Sequence, residues 1–455
     1  MYVSRVSVQD IKSFNGPRQV DLRLTRPDGT HAGWTVLAGR NGAGKTTLLR
    51  AIAFALSGPV AARGLVPGFD NWVAHGAAEG RIELEVTRDT EYDQFSHGRP
   101  PAGPCKAGLL WAAPSDGGSD GRPIGRRGVQ PSLEEITYTE AASSNARRGP
   151  WADNPVGWFC AGYGPFRRMA GGSGEVQRLM LASGPVARLA SLFHEDASLA
   201  EGVAWLIEQH LRALEGRAGA AVLKNTALAI LQDGLLPDGY RIIDVDSEGL
   251  WVERDGIRFP LREMSDGFRT VAALVVDILK QIHNTFGDAV VADADEGMLF
   301  NRVPGIVIID EIDAHLHVSW QRRIGSWLTR HFPNIQFIVT THSPYVCQSA
   351  DPGGLIRLPG VDEEDPPEVV GEDLYERVVY GSGDDAVLSD LFGLDTPYSE
   401  QAERKRGELV ALEMDMLRGH ADTGTTDRHR KLKRLLTSSP AARLRDPALR
   451  AGFLD

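Results

Sequence analysis

Four short segments of this sequence carry residue types that bind phosphate or move protons, and they follow one another in a fixed order. They are Gly39-Arg40-Asn41-Gly42-Ala43-Gly44-Lys45-Thr46, Met264-Ser265-Asp266-Gly267-Phe268, Ile306-Val307-Ile308-Ile309-Asp310-Glu311 and Thr340-Thr341-His342. Glycine backbone, an ammonium and hydroxyls suit phosphate, while adjacent carboxylates suit a metal ion and a general base. The series predicts a phosphate cradle, a second anion contact, a magnesium carboxylate beside a base, and a polar sensor of the terminal phosphate.

The first segment fits G-x-x-x-x-G-K-[ST], in which backbone N–H groups and the lysine contact phosphates and the hydroxyl binds Mg²⁺. A buried-strand pattern precedes it at 34–38 and a helical pattern follows at 46–56, so the helix N-terminus faces the phosphates. The alternative is a glycine-rich turn that opens an ordinary helix, and the flanking pattern favours the phosphate site. The predicted ATP-binding residues are Gly39, Arg40, Asn41, Gly42, Ala43, Gly44, Lys45, Thr46 and Thr47.

The third and fourth segments each end a short, apolar, β-branched run of the kind found in a buried parallel strand. Ligands bind at the carboxyl ends of such strands, so Asp310 is predicted to hold Mg²⁺ together with Thr46. Glu311 is predicted to polarise the attacking water. His342, after the second strand, is a candidate phosphate contact. With the cradle at Lys45, these residues are the parts of an ATP-hydrolysing switch.

The elements that must position these residues form a mixed α/β fold. Alternating patterns at 3–8, 20–24 and 82–86 predict an antiparallel β layer beside the parallel core. Helical spacing between 174 and 236 predicts a compact helical lobe, since sustained heptads are missing. Strand patterns at 241–245 and 250–253 predict a small hairpin that leads into Ser265.

The motif set resembles the ATP-binding-cassette superfamily, in its SMC/RecF-like branch. The form Gly-x-Asn-Gly-x-Gly-Lys at 39–45 is typical of that branch. Glu311-Ile312-Asp313-Ala314-His315-Leu316-His317 further resembles a bacterial defence-associated subgroup that includes the PtuA ATPases of Septu and ATPases of some retrons. The resemblance is dense over 1–57 and 260–346, and it implies a P-loop fold of the ABC/SMC-head type.

That resemblance implies a composite site with ATP and Mg²⁺ held between two protomers. Lys45 and Thr46 of one protomer would hold the nucleotide, and the signature residues Ser265, Asp266 and Gly267 of a second would close over it. It also implies catalytic roles for Asp313, in a loop at the dimer interface, and for His342, as the switch histidine. Ser265 and Asp266 are equally suited to cap the helix predicted from Phe268, and both roles are compatible.

Three features depart from the family pattern or invite another interpretation. The family's glutamine motif is missing after the apolar run 156–161, where Arg167 and Arg168 stand instead. These arginines are predicted to be a solvated pair rather than phosphate ligands. His315 and His317, with His331 or His342, invite a zinc site, but their spacing is poor for one helix face and the family resemblance explains them.

Length and composition limit the function classes. The 455-residue chain has a formal net charge of -12, which argues against a broad nucleic-acid-coating surface and leaves a local basic groove open. Cys105, Cys160 and Cys347 are few and widely separated, so a reducing, cytoplasmic location without disulfides is expected. No membrane-spanning segment is expected from the apolar stretches of the sequence, and the alternating pattern at the first residues predicts a strand rather than a signal peptide.

Pattern shifts predict five segments of one composite ATPase. They are the P-loop part of the head (1–93), a Gly/Pro-rich loop insertion (94–155), the helical lobe (156–240), the second part of the head (241–358) and a C-terminal helical extension (359–455). Helical patterns at 401–417 and 427–436 lie in the extension. The second is basic, and the sequence favours a solvated face over a DNA or partner contact. Asp384 and Asp385 lack the further carboxylates of a nuclease, so no nuclease activity is expected.

The resemblance therefore implies an ATP-hydrolysing sensor or regulator that acts with a separate effector, such as an HNH-type nuclease, in anti-phage defence. It implies a homodimer or higher oligomer bridged by ATP, and leaves DNA contact open. A RecF-like repair clamp, an ATP-bridged scaffold with little hydrolysis, and a transporter ATPase subunit are the alternatives. The transporter is the weakest, because the glutamine motif is missing and Asp266 replaces the usual signature glycine.

Overall fold

The computed structural model describes residues 1–114, 130–138, 145–167, 173–181, 184–287, 293–295, 298–420 and 422–436. The chain divides into two compact units, Met1–Gly393 and Leu394–Asp455. The strands are β1 (Tyr2–Gln9), β2 (Val20–Arg23), β3 (Trp34–Ala38), β4 (Glu79–Thr87), β5 (Cys105–Ala112), β6 (Ser132–Glu135), β7 (Cys160–Tyr163), β8 (Arg241–Asp246), β9 (Gly249–Arg254), β10 (Ile257–Pro260), β11 (Asp293–Asp295), β12 (Met298–Phe300), β13 (Gly305–Ile309), β14 (Ile335–Thr341), β15 (Leu355–Arg357) and β16 (Glu368–Val369).

The described residues also form α-helices. They are α1 (Lys45–Leu65), α2 (Gly174–Leu181), α3 (Pro185–Phe193), α4 (Ala200–Leu214), α5 (Ala220–Gln232), α6 (Asp266–Phe286), α7 (Val318–Gln321), α8 (Ile324–His331), α9 (Pro344–Cys347), α10 (Glu372–Val379), α11 (Gly383–Val387), α12 (Glu400–Leu417) and α13 (Thr423–Leu436). Short 3-10 turns occur at Gly16–Arg18 and Leu261–Glu263.

The central sheet has the order β16-β15-β3-β14-β13-β7. Its strands from β15 to β7 are parallel, and only β16 at the edge is antiparallel. Ile306 and Ile308 face one apolar core, whereas Val307 and Ile309 face another. The sheet is therefore covered on both faces, which is why its strands read as unbroken apolar runs.

The register of this sheet brings the predicted motifs to one edge. Ile309 pairs with Val339 and with Tyr163, and Thr341 pairs with Ala38. The residues that follow β3, β7, β13 and β14 therefore all leave the sheet at its carboxyl end. This parallel core, with its antiparallel layer and helical lobe, confirms the predicted fold class.

The antiparallel layer is a five-stranded sheet with the order β2-β1-β4-β5-β6. The prediction of a loop insertion over 94–155 was wrong in part, because β5 and β6 lie in it and extend this sheet. Alternating residues of β5 such as Ala107, Leu109 and Trp111 are buried, so this part of the insertion contributes to the core. Residues 115–129 and 139–144 lie outside the described part of the chain.

Helix α1 follows the glycine loop and is buried over most of its length. It is long and apolar enough to span a membrane, contrary to the expectation from the sequence. However, 67% of its apolar stretch is buried inside the protein. Gly58 has a non-helical φ of 82° and is followed by Pro59, so the helix is kinked there. Its features are those of a core helix of the head.

Two local predictions were wrong. The strand expected at 156–161 begins only at Cys160, because Gly157 and Trp158 have φ values of 76° and 46° in a turn. The Trp158 N–H donates to Asp93 Oδ1 at 2.6 Å and holds that turn. The apolar spacing at 319–332 predicts a single helix, but the structure has two helices there, α7 and α8, separated at Arg322 and Arg323. The apolar spacing is helical on both sides of this break, so spacing alone did not show it.

The helical lobe, the segment before α6 and the C-terminal region also form regular helices and strands. Helices α2 to α5 occupy the predicted helical lobe, and β8, β9 and β10 form a three-stranded meander in place of the expected hairpin. The first unit continues to Gly393, beyond the boundary at 358, because β15 and β16 pair in the central sheet. In the second unit, Arg428 of α13 pairs with Glu408 of α12 at 2.7 Å, as expected for a solvated face.

Candidate nucleotide site

The loop between β3 and α1 has the backbone of a phosphate cradle. Gly42 and Gly44 have φ values of 81° and 98°, a region that favours glycine. A Cβ atom on Gly44 would lie 2.6 Å from the ring of Phe14, so a side chain is also excluded by space. These glycines let the loop turn its N–H groups toward a ligand at the N-terminus of α1.

Lys45 and Thr46 begin α1 and face the strand ends. The Lys45 ammonium donates to the carbonyl oxygens of Gly39 at 2.8 Å and Arg40 at 3.0 Å, and its side chain is only 7% exposed. Burial lowers the pKa of Lys45, while Asp310, Glu311 and Asp313 act in the opposite direction. A nearby anion would stabilise the charged form further, as expected of a phosphate ligand.

The remaining residues of the predicted cradle differ in their exposure to solvent. Ala43 is buried, Thr47 is half-buried, and Asn41 is exposed. Arg40 is exposed and pairs with Asp362 at 3.4 Å. Arg18, which the sequence does not single out, is buried and donates to the carbonyls of Ala43, Pro359 and Gly360. No local pattern marks it, because its partners lie up to 342 residues away.

Asp310 brings the loop and the acidic strand together. Its Oδ2 accepts from Thr46 Oγ1 at 2.8 Å, and its Oδ1 accepts from Thr340 Oγ1 at 2.6 Å. The residue is 2% exposed. A hydroxyl and a carboxylate oxygen in direct contact are the hard oxygen donors that Mg²⁺ prefers, so these residues fit the predicted ion.

Glu311 starts a sharp turn after β13. Its φ is 47°, an uncommon value for a residue with a side chain, and its N–H donates to Thr340 Oγ1 at 2.7 Å. The next N–H, of Ile312, donates to the Thr340 carbonyl at 3.0 Å. The side chain of Glu311 is half-buried beside Asp310. The turn therefore fixes the Glu311 backbone at the same edge as the cradle.

Asp313 and His342 meet on the other side of this turn. Asp313 Oδ1 accepts from the Thr341 hydroxyl and from the His342 N–H, the latter at 3.3 Å. The His342 ring is exposed at the sheet edge, yet partial desolvation and the Lys45 ammonium lower its pKa. A neutral imidazole is therefore favoured at pH 7, and it can accept or donate a hydrogen bond.

Arg167 is not a solvated side chain, so that prediction was wrong. It is 3% exposed, and its guanidinium donates to five backbone carbonyls, among them those of Asp310 and Glu311 at 3.0 Å. The reason is that the turn after β13 lies outside helix and sheet, and Arg167 supplies hydrogen-bond donors to four of its carbonyls. The signal that could have found it is its position after β7, the neighbour of β13. Arg168 lies outside the described residues.

The signature residues lie at the start of α6. Ser265 occupies the N-cap position and is exposed, but its hydroxyl makes no capping hydrogen bond within the described chain. Asp266 pairs with Arg269 at 3.0 Å. A Cβ on Gly267 would lie 2.4 Å from the His315 carbonyl, so this glycine packs directly on the turn after β13. The structure shows no contact of these residues with the cradle in the same described chain.

The zinc interpretation finds no support in the described residues, where no group of three or more suitable side chains could hold a metal. His331 is buried and contacts Asp233 and the Trp327 carbonyl instead. His317 caps α7 by accepting from the Ser319 N–H. Cys105, Cys160 and Cys347 are all described, buried and free.

Two family models match the chain on either side of the insertion. A model described as "AAA domain" matches residues 5–93, which include the cradle. A model described as "AAA domain, putative AbiEii toxin, Type IV TA system" matches residues 195–348, which include the signature, Asp310, Glu311 and His342. The two matched regions thus contain the motifs that the fold brings to one edge.

Two curated relatives show which kinds of ATPase this chain resembles. The Septu protein PtuA of Bacillus mycoides is 25% identical over 346 residues, which are 75% of this chain and 38% of that protein. The retron Ec83 probable ATPase of Escherichia coli is 41% identical over 102 residues, 22% of this chain and 17% of that protein. This chain resembles the ATPases of Septu and retron systems. The resemblance to defence-associated SMC/RecF-like ATPases is thus confirmed, and the matches span well under half of each relative's length.

Among solved structures, an SMC head bound to the C-terminal winged-helix domain of ScpA covers 81% of this chain and 98% of its own. The sequence identity is 16% and the TM-score 0.45.

Proposed function

We propose that this chain binds ATP with Mg²⁺ and hydrolyses it at the carboxyl edge of the central sheet. The observation that carries the proposal is the 2.8 Å contact between Thr46 Oγ1 and Asp310 Oδ2, which joins the phosphate cradle to the acidic strand. A lone cradle would support binding only. Its contact with a buried carboxylate that is followed by Glu311 supports a hydrolytic site.

Each residue has a chemical role in this proposal. The loop N–H groups and Lys45 would bind the phosphates, and Thr46 with Asp310 would hold the metal ion. When bound, Mg²⁺ neutralises charge on the phosphate oxygens. Glu311 would accept a proton from water as the water oxygen attacks the terminal phosphorus and the bond to ADP breaks. His342, in its neutral form, would contact the terminal phosphate.

We further propose that a second copy of the chain completes the site. Ser265 presents an exposed hydroxyl at the N-terminus of the 21-residue helix α6, and its side chain is not used for capping in the described chain. Such a helix end attracts an anion. Ser265, Asp266 and Gly267 of one protomer would then close over the phosphates held by the other, with Asp313 near the interface.

The similarity to the Septu protein and the retron ATPase supports a role in defence against phage. In this proposal the ATP-bound dimer, or a higher oligomer, is a sensor or regulator in the cytoplasm that controls a separate effector such as an HNH-type nuclease. The buried, free cysteines support a reducing compartment. The partner role can be tested with a purified mixture of this chain and the product of the neighbouring gene. Nuclease activity of the mixture would be measured with ATP and with ADP.

The decisive test of the site compares the parent protein with Glu311→Gln. We expect the variant to keep ATP affinity within about threefold and to lose turnover by about 10²–10⁴-fold, the usual contribution of a general base. Phosphate release gives the turnover and mass photometry gives the ATP-bound mass, which should exceed the 49.4 kDa of one chain. Normal turnover in the variant would reject Glu311 as the base. Nucleotide retention without turnover in the parent would favour the ATP-bridged scaffold instead.

A further inference from the structure

A single buried guanidinium collects the carbonyl groups of the turn that carries Glu311. Arg167 Nη1 donates to the carbonyl oxygens of Gly164 and Asp310, both at 3.0 Å. Its Nη2 donates to the carbonyls of Glu311 at 3.0 Å, Ile312 at 3.3 Å and Ala314 at 3.5 Å. Four of the five acceptors therefore lie in the turn 310–314.

This turn needs an external support because its backbone is unfavourable. Glu311 and His315 have φ values of 47° and 66°, and residues with side chains keep such values only where their surroundings fix them. A helix or strand would pair the carbonyls of such a segment internally. Here the Ala314 N–H donates to the Glu311 carbonyl at 2.9 Å, and the rigid fork of the Arg167 guanidinium supplies donors to that carbonyl and to those of Asp310, Ile312 and Ala314.

Arg167 is itself anchored to the rest of the head. It follows β7, whose last residue, Tyr163, accepts the Asp310 N–H at 2.8 Å through its carbonyl. The Tyr163 hydroxyl donates to Asp277 Oδ2 of α6 at 2.9 Å, and both side chains are buried. The segment 163–167 therefore lies between the signature helix and the acidic turn and contacts both.

A direct phosphate contact by Arg167 is disfavoured by the same observations. The guanidinium is 3% exposed, and both of its terminal nitrogens already donate to carbonyls. Burial lowers the pKa of Arg167 to about 10, while Asp313, Asp310 and Glu311 act against this effect. At pH 7 the side chain therefore still carries its charge.

We infer that Arg167 is a positioning residue for the hydrolytic step: it holds the turn 310–314 in the one conformation that presents Glu311 beside Asp310. This inference rests on the proposed function, because it assigns Arg167 to the same site. Arg167 would act through the backbone of Glu311 rather than on the nucleotide. Its loss should therefore affect turnover more than ATP affinity.

The test uses Arg167→Gln and Arg167→Lys, with Arg188→Gln as the matched control. Arg188 is a half-buried arginine near β7, and it donates to the Cys160 carbonyl at 3.0 Å and to the Thr285 hydroxyl at 3.2 Å, away from the turn. We expect Arg167→Gln to lower kcat by roughly 10–100-fold, as for a misplacement of about 1 Å, with KM changed less than threefold. Arg167→Lys should be intermediate, since an ammonium keeps the charge but cannot span the carbonyls.

A second readout does not depend on hydrolysis. The N–H groups of Asp310, Glu311 and Ile312 are hydrogen-bonded, so amide hydrogen exchange reports directly on opening of the turn. In nucleotide-free protein, Arg167→Gln should speed exchange over 310–316 at least tenfold, and Arg188→Gln should change it less than twofold.

The kinetic measurement and the exchange measurement together distinguish failure of this inference from failure of the proposed function. If the parent protein shows no turnover, the proposed function fails, and the exchange measurement still decides the role of Arg167. Exchange over 310–316 within twofold of the parent in Arg167→Gln would overturn the inference. Equal effects of Arg167→Gln and Arg188→Gln on kcat and on exchange would also overturn it, because both would then reflect a general loss of packing.

Discussion

The cradle at 39–46 and the turn at 310–315 face each other across the sheet edge, yet they are built in different ways. The cradle relies on glycines that adopt positive φ without cost, such as Gly42 and Gly44, and on a helix that begins at once. The turn places Glu311 and His315 at positive φ and depends on distant residues to hold them. One region is determined locally, whereas the other is imposed by tertiary contacts.

This difference predicts different consequences of mutation. Damage to the cradle should abolish nucleotide binding and leave the fold of the turn unchanged. Damage to the supports of the turn should leave binding largely intact and reduce turnover.

The largest effect is expected for Lys45→Ala. The Lys45 ammonium is the buried cation of the cradle, and hydrogen bonds to charged groups contribute about 1.5–3 kcal/mol each. We expect ATP affinity to fall by roughly 100-fold or more, measured by calorimetry. Amide exchange over 310–316 should stay at the parent rate. An ATP affinity within threefold of the parent would contradict the assignment of Lys45.

A smaller and different effect is expected for Thr340→Val. The Thr340 hydroxyl donates to Asp310 Oδ1 and accepts from the Glu311 N–H, and it is completely buried. Its removal should lower the free energy of unfolding by about 1–3 kcal/mol and kcat by roughly tenfold. ATP affinity should change less than threefold.

Thr340→Ser is the control, because it keeps the hydroxyl and should retain most of the turnover. Equal loss of turnover in the serine and valine variants would show that the hydroxyl does not support the turn. Chemical denaturation gives the stability of both variants on the same scale.

The smallest effect is a pH dependence from His342. Partial desolvation and the Lys45 ammonium hold its pKa below the ordinary value of 6.5, so the folded protein favours the neutral ring. The neutral form is therefore fully present above pH 6.5, and it is lost only as pH falls through the lower folded pKa. Turnover should be flat from pH 7 to 8 and should decline below pH 6.5.

The His342→Gln variant should lose that part of the acid decline while retaining a lower, flatter profile. A profile with an unchanged acid limb in this variant would assign the decline to another group. The comparison needs phosphate release at several pH values at constant ionic strength.

The sequence predicts the cradle at 39–46 better than the turn that carries Glu311. The strand at Trp34–Ala38 and the glycine loop were recognisable because each requirement falls within one short segment. The sequence does not predict the burial of Arg167, because four of its five carbonyl acceptors lie 143 to 147 residues away and nothing within its own segment marks burial. The same limit applies to Arg18 and to the strands within 94–155, whose partners lie in other elements.

The most direct test of the account asks whether the two regions meet on one bound nucleotide. A double-mutant cycle of Thr46→Ala and Asp310→Asn, with ATP affinity measured with Mg²⁺ and with EDTA, isolates their coupling. We predict strongly non-additive losses of ATP affinity with Mg²⁺: the double variant should bind ATP only slightly less tightly than the single variant with the lower affinity. In EDTA, ATP affinity should change little. Additive losses that are equal with and without Mg²⁺ would contradict a shared metal and nucleotide site.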